Sequence, residues 1–459
     1  MSDADRSLRR PWSRSDRAVP RYVVSPLQQF MRLEVSGGIV LLAATLAALT
    51  WANVAPGSYE ELWSTRLTVD LGGYRFDEDL THVVNDGLMA LFFLVVGLEV
   101  KRELTTGELS SRRAALLPAF AALGGMVLPA LIFVSLMAAG GGDARGWGIP
   151  MATDVAFALA ALAALGRRAP PALVAFLLGV AVIDDIGAIL VVAVYYTEAI
   201  DFAWLAAALA GLTAIVVLQR MQVRYVGAYA VIGLAVWFAT FESGVHATIA
   251  GVAIGLLTPV HPFQAARSVS DEAVRIAELT EDDPADPDAD AAHWRRLAWL
   301  SREAISPLAR VEHGLHQWSS FVVLPIFALA NAGIALGGDS LSAAARTPVA
   351  LAVGLGLVLG KTLGLTLGAL LAVRLGLSGL PSGTRWAHVA GIGALAGIGF
   401  TVSLFITELA YADAAVVEAA KIGVLAGSAV AALLGLALLW RAGRRTPETE
   451  PGPDGALAR

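Results

Sequence analysis

Much of this chain is written in apolar runs of roughly 20 residues, the length a helix needs to cross a bilayer core. That single feature narrows the fold more than any other. A large soluble protein with buried helices does not need so many full-length runs. Charge agrees: 16% of residues are charged, against about 25% in ordinary soluble domains, and the mean hydropathy is +0.66. The expected fold class is therefore all-α and integral to a membrane. The absence of cysteine excludes disulfides and thiolate metal sites. A formal net charge of −6 says little, because in a membrane protein the position of a charge outweighs the sum.

Apolar windows place about twelve transmembrane helices, at 36–54, 81–100, 114–139, 147–166, 171–197, 203–219, 225–241, 244–259, 317–337, 347–373, 387–410 and 415–440. Residues 1–35 read as a polar, Arg-rich tail. A signal peptide would begin its apolar region sooner than Gly37, so the first helix reads as uncleaved. Basic residues collect on the cytoplasmic side of membrane proteins. With the N-terminus inside, 27 of the 33 Lys and Arg residues fall in inside segments and 5 in outside ones. A miscounted helix would scramble that alternation, so both termini are expected in the cytoplasm. The division that follows is a tail (1–35), helices 1–8 (36–260), an inner linker (261–310), helices 9–12 (311–442) and a second tail (443–459). The linker centre, ELTEDDPADPDADAA, is acidic and Pro-rich and reads as disordered rather than as a domain. Outside, residues 64–79 alternate apolar and polar around Gly72-Gly73, which predicts a small β-hairpin, with an irregular loop as the other reading.

Charges inside apolar runs are costly, at least about 2.5–3.5 kcal/mol at mid-depth, and so mark function. Five stand out: Asp86, Asp154, Asp184, Asp185 and Lys361. Asp184 and Asp185, in VAVIDDIGAILVVAV, point about 100° apart on a helix and so expect different partners. Their protonation is coupled. Asp154, with Thr153, follows Gly146, Gly148 and Pro150, which weaken the helix before it. A break of this kind exposes backbone groups as ion ligands, although a plain helix N-cap is the simpler reading. Lys361 lies in GLVLGKTLGLTLG, in a chain with only three lysines. Buried Lys can lose its proton where Arg cannot, or it can hold a permanent salt bridge. Asp154, Asp184 and Asp185 against Lys361 leave an excess of acid that one hard cation relieves in part and protons relieve fully. Ligands that neutralise the same acids compete. Oxygen donors without His or Cys suit Na+ or Li+ rather than a transition metal.

A second Gly-weakened run, AHVAGIGALAGIGFTVSLFITEL, has Gly391, Gly393, Gly397 and Gly399 at its centre. TDVAFALAALA (153–163) and FTVSLFITELA (400–410) each put Thr after a weakened start. Segments 114–197 and 347–440 each hold three helices with the broken one in the middle. This predicts an inverted-topology repeat with two crossed discontinuous helices.

The stretches NDGLMALFFLVVGLEVKREL (85–104), ATDVAFALAALAALG (152–166), AVIDDIGAILVVAVYYT (181–197), SGVHATIAGV (243–252), LPIFALANAG (324–333), GKTLG (360–364) and GIGFTVSLFI (397–406) together resemble the NhaA-type sodium/proton antiporters, in family order and over about 30–440. The resemblance implies exchange of one Na+ or Li+ for more than one proton across a bacterial inner membrane, with pH regulation. It implies Asp185 as the main cation ligand, Asp184 beside it paired with Lys361, and Asp154 and Thr153 at the helix crossing. A cytoplasmic pH-responsive cluster maps onto Glu99, Lys101, Arg102, Glu103, Glu312, His313 and His316, which on residues alone also reads as solvated loop charge. His246 matches a family position and otherwise reads as a packed histidine. The hairpin resembles the segment through which family members form homodimers. Membrane lipid is the other expected partner. No catalytic residue, cofactor, nucleic acid or organic substrate is expected. Departures from the pattern are Thr362 and Gln317, each where Pro is expected, and the longer linker and tail.

Three other classes fit the sequence less well. Gly140-Gly141-Gly142-Asp143 matches the GxGD string of intramembrane aspartyl proteases, but in a polar outer loop beside Arg145. A sodium-coupled symporter needs a roomy polar site for an organic substrate, and a passive channel needs a lined pore.

Overall fold

The computed structural model describes residues 34–71, 74–197, 199–279, 287–338, 342 and 346–443. Most of both tails, Gly72-Gly73 and the linker centre at 280–286 lie outside the described residues.

Helix α1 (Glu34–Val54) leads through the short α2 (Pro56–Trp63) into strands β1 (Arg66–Leu71) and β2 (Tyr74–Asp79). The strands pair antiparallel with Leu71 opposite Tyr74, the hairpin register expected around two glycines. Then follow α3 (Leu80–Thr105) and α4 (Arg112–Gly140). A tight 3₁₀ stretch, Ala144–Met151, precedes α5 (Val155–Ala164). Next come α6 (Pro171–Tyr195), α7 (Phe202–Arg220), α8 (Val226–Glu242) and α9 (Thr248–Leu257). The linker carries α10 (Ala266–Leu279) and α11 (Pro287–Glu303). Helix α12 runs continuously through Pro307–Trp318, Ser319–Val323 and Leu324–Asn331. The chain ends in α13 (Pro348–Arg374), α14 (Trp386–Leu395), α15 (Phe400–Ala410) and α16 (Ala414–Gly443).

Among the described residues, eight helices are long and apolar enough to cross a membrane, or nine if the α14–α15 pair, bent by 49°, is one span. Twelve were expected. Helices α8 and α9 fall short in length, and the polar first half of α12, with Arg310, Glu312, His313 and His316, dilutes its hydropathy. Helix α12 also starts ten residues before the expected 317, because Ser306 caps it and Pro307 opens it. The stretch ELTEDDPADPDADAA (278–292), expected to be disordered, has its two ends in helices: 278–279 close α10 and 287–292 open α11. Glu272 bonds Arg275 on its own helix at 2.8 Å and Arg296 of α11 at 3.0 Å, and Arg275 chiefly, by its hydrogen bond, holds the Glu272 carboxyl below its usual range.

The faces of α13 show how the bundle is organised. Leu359, Leu363, Leu367 and Leu371 recur every fourth residue and stay half exposed, a stripe suited to lipid. The opposite face, with Lys361, Gly364, Leu365, Gly368 and Ala369, is buried. It meets α4 at Gly124 and Gly125, so closely that a Cβ on Gly124 would strike the Gly364 carbonyl. Small residues let two backbones approach where lipid gives no hydrophobic drive.

Candidate cation and proton site

The site forms where two interrupted spans meet. In the first, Pro150 supplies no amide hydrogen, the tight stretch ends at Met151, and Ala152 is extended (φ −80°, ψ 150°). Asp154 then starts α5 as its cap, accepting from the Phe157 N–H at 3.1 Å. In the second, the helix stops at Leu395 and restarts at Phe400. Interrupted helices leave polar backbone groups that a bilayer cannot satisfy. Here each break serves the other. The Asp154 N–H donates to the Ile398 carbonyl at 2.6 Å. Asp154 Oδ2 accepts from the Thr401 hydroxyl at 2.6 Å and from the Thr401 N–H at 3.2 Å. The Gly399 and Phe400 N–H groups donate to Ser428 Oγ on α16, at 3.2 and 3.3 Å.

Around this junction α6 and α13 bring opposite charges. Lys361 Nζ lies 2.6 Å from Asp184 Oδ2 and donates to Thr153 Oγ1 at 3.1 Å. Thr153 Oγ1 is 2.8 Å from both Asp184 Oδ2 and the Ala396 carbonyl, and its one proton serves one of them at a time. Lys361, Thr153 and Asp184 are essentially without exposed surface. Asp184 Oδ1 is buried and accepts no hydrogen bond among the described residues. Asp185, the next residue, points elsewhere. It is half-buried and makes no hydrogen bond or ion pair among the described residues, and the charges acting on it are Glu99, Asp184, Lys361 and Asp154. Both oxygens of Asp185 and one of Asp184 are therefore free to take a hard cation or protons.

Asp154 is thus both a helix cap and a neighbour of the charged pair, and the two readings of it coexist. Thr362 continues the helix by bonding back to the Val358 carbonyl at 2.6 Å. The turn just before Lys361, Gly356–Gly360, is widened to i→i+5 bonding, a feature that recurs at functional positions. A similar wide turn at Val83–Leu88 holds Asp86.

The remaining predicted residues form two groups on α3. Asp86 Oδ1 lies 3.8 Å from His246 Nδ1, and its carbonyl accepts from Trp237 Nε1 at 2.9 Å. His246 also packs edge-on to Phe405 of α15. Thirteen residues on, about 20 Å along the helix, Glu99 Oε1 is 3.7 Å from His316 Nδ1. Arg102 pairs with Glu312, and with Glu103 at 3.5 Å. Lys101 is half-buried on the same stretch and His313 is exposed on α12; neither forms an ion pair among the described residues.

Sequence reasoning missed several parts. Thr401 and Ser428 complete the crossing. Asn331 Nδ2 donates to Asn85 Oδ1 at 2.8 Å, a buried amide pair tying α12 to α3. Thr401 had a signal, since it follows a Gly-rich break as Thr153 follows another.

Two interrupted spans meeting in the bundle, with carboxylates and a lysine at the junction, define a secondary transporter, an architecture that NhaA-type proteins exemplify. The profile of the Na+/H+ antiporter 1 family matches residues 28–439, and the chain belongs to that family. It is 44% identical to Na(+)/H(+) antiporter NhaA 2 of Sorangium cellulosum over 431 residues, covering 92% of this chain and 91% of that one. Na(+)/H(+) antiporter NhaA 3 of Frankia alni is 44% identical over 438 residues, with 95% and 93% covered. Na(+)/H(+) antiporter NhaA of an Anaeromyxobacter species is 44% identical over 453 residues, with 96% and 97% covered.

Proposed function

We infer that this chain is a Na+/H+ antiporter in which one compact acid site holds either a sodium ion or protons, with Li+ as a second cargo. The observation that carries this reading is the pair of adjacent carboxylates, one locked to Lys361 and Thr153, the other without a partner. Three carboxylates against one ammonium leave a formal −2 when all are ionised. A sodium ion brings this to −1 and two protons bring it to zero, so the two ligands exclude each other. Asp185 is the main cation ligand in this account. Asp184 alternates between Lys361 and the ion, and Asp154 with Thr153 fixes the crossing. A sodium-coupled symporter would need a polar cavity for an organic substrate, and no residue cluster among the described residues favours that reading.

Counting α8, α9 and α12 as spans brings nine to twelve, and with the basic residues inside, both termini face the cytoplasm of a bacterial inner membrane. The sets α4 to α6 and α13 to α16 then form an inverted repeat, each with its interrupted span in the middle. The hairpin serves as the homodimer contact, and the group at Glu99, Lys101, Arg102, Glu103, Glu312, His313 and His316 sets the pH response.

Everted membrane vesicles from cells without other antiporters test the exchange. A respiratory proton gradient is reported by a fluorescent dye while NaCl, LiCl or KCl is added between about pH 6.5 and 8.5, a range that runs upward from the ordinary histidine pKa of about 6.5. Na+ and Li+, but not K+, are expected to collapse the gradient, and Asp185→Asn is expected to lose the response. An intact response in Asp185→Asn would remove that residue from the site. Silence toward every cation, with wild-type protein present in the membrane, would defeat antiport itself.

A further inference from the structure

Arg224, in the connection between α7 and α8, reaches the linker. Its Nη1 lies 2.9 Å from Glu303 Oε2, and the Glu303 side chain is only 5% exposed. The guanidinium lies over two rings, Phe263 at 5.0 Å and Trp299 at 5.3 Å. Planar stacking of this kind favours Arg over Lys, and the pair, with one partner nearly buried, ties the α7–α8 connection to the end of α11. Glu303 is the last residue of α11, and three residues separate it from Pro307, where α12 begins.

Other bonds converge on the same point. The Gln264 N–H donates to the Glu303 carbonyl at 3.1 Å, and the Leu308 N–H donates to the Pro259 carbonyl at 3.1 Å. Ser306 Oγ caps the Ala309 N–H at 3.2 Å. Arg224 of the α7–α8 connection and Gln264 therefore hold Glu303 at the end of α11, three residues before α12, while Pro259 holds Leu308 in the first turn of α12 itself. Glu312 lies five residues further on, about 7–8 Å along the axis. A helix carries a displacement of its first turn rigidly over that distance.

We propose that the Arg224–Glu303 pair is a positioning latch. It fixes the start of α12, and so the placement of Glu312, His313 and His316 against α3, and thereby sets the pH at which exchange turns on. This rests on reading that group as the pH-responsive one. The charged groups facing one another across the joint are Glu99, Lys101, Arg102 and Glu103 on α3, and Arg310, Glu312, His313 and His316 on α12. Arg302 and Glu303 on α11, Arg224, and Asp185 on α6, which Glu99 faces, belong to the same set. At separations of 3–4 Å the interaction changes steeply with distance. A small shift of α12 alters the Arg102–Glu312 and Glu99–His316 pairs together, and it reaches Asp185 only through the charge of Glu99, with no hydrogen bond at the crossing displaced. The latch draws on Glu303 and Trp299, both on α11.

The test measures gradient collapse by Na+ against pH in everted vesicles for Arg224→Gln, Glu303→Gln, Arg224→Lys and, as a reference, Glu312→Gln. The latch predicts that Arg224→Gln and Glu303→Gln move the pH midpoint by about half a unit or more. It also predicts that they leave the Na+ KM at the optimal pH within about twofold, since the latch makes no contact with Asp184, Asp185, Asp154 or Lys361. Arg224→Lys falls between, and the double Gln variant moves no further than either single one. If Glu312→Gln shifts the midpoint while both Gln variants coincide with wild type, the latch is wrong and the pH cluster stands. If Glu312→Gln itself shifts nothing, the cluster reading fails and takes the latch with it. Membrane levels are followed by fluorescence-detected gel filtration. Glu303→Gln, nearly isosteric, carries the decision if Arg224→Gln does not accumulate.

Discussion

Lys361 has no exposed surface, and its ammonium is matched by Asp184 at 2.6 Å, with Thr153 taking a second proton of the same group. Removing one partner of such a pair leaves a buried charge, which costs about 3–5 kcal/mol, whereas replacing both with apolar side chains of similar volume is close to neutral. Lys361→Ala should therefore lower thermal stability in detergent sharply, and Lys361→Met with Asp184→Leu should recover most of the loss. The deficit of Lys361→Ala should also shrink in acid, where protonation can neutralise Asp184. A double variant as unstable as the sum of its parts would mean that the pair is not coupled. Asp154, Asp184, Asp185 and Lys361 were legible in the sequence because a charge in an apolar run is conspicuous. Ser428 and Asn331 were not, because hydroxyls and amides are ordinary there and their roles come from what the fold sets beside them; Thr401 was marked only by its place after a Gly-rich break.

The interrupted spans work as a unit because each break completes the other's hydrogen bonds. Glycine and proline content betrayed both breaks in the sequence. What the sequence could not supply was the external support. Ser428 accepts from two N–H groups at the start of α15, which carries Thr401 and hence one ligand of Asp154. Ser428→Ala should cost about 1–3 kcal/mol for buried donors left without a partner, and should raise the Na+ KM in vesicles. Wild-type stability together with wild-type KM would show that α15 holds its place without the cap. The element read least well from sequence was α12. Its charged first half looked like linker, yet Ser306, Pro307 and the Glu312–Arg102 pair make it helix. Helices α10 and α11 were missed because acidic, Pro-rich composition signals the segment between them.

At the scale of the whole molecule, long apolar runs, basic-residue bias and a few misplaced charges suffice to place the chain among membrane transporters, and its relatives place it among Na+/H+ antiporters. The sequence does not show how the halves meet, because contacts such as Asp154 to Ile398 and Lys361 to Asp184 join residues some 180 to 240 positions apart. The central claim is that sodium and protons share one set of acids. Its most direct test is the transient current of proteoliposomes on a solid support after Na+ concentration jumps, at a series of pH values. Shared acids predict that the apparent Na+ KM rises as pH falls, approaching about tenfold per unit for one competing proton, while the maximal current is retained in saturating Na+. An apparent KM that stays constant across the pH range, with only the maximal current changing, would contradict the shared site.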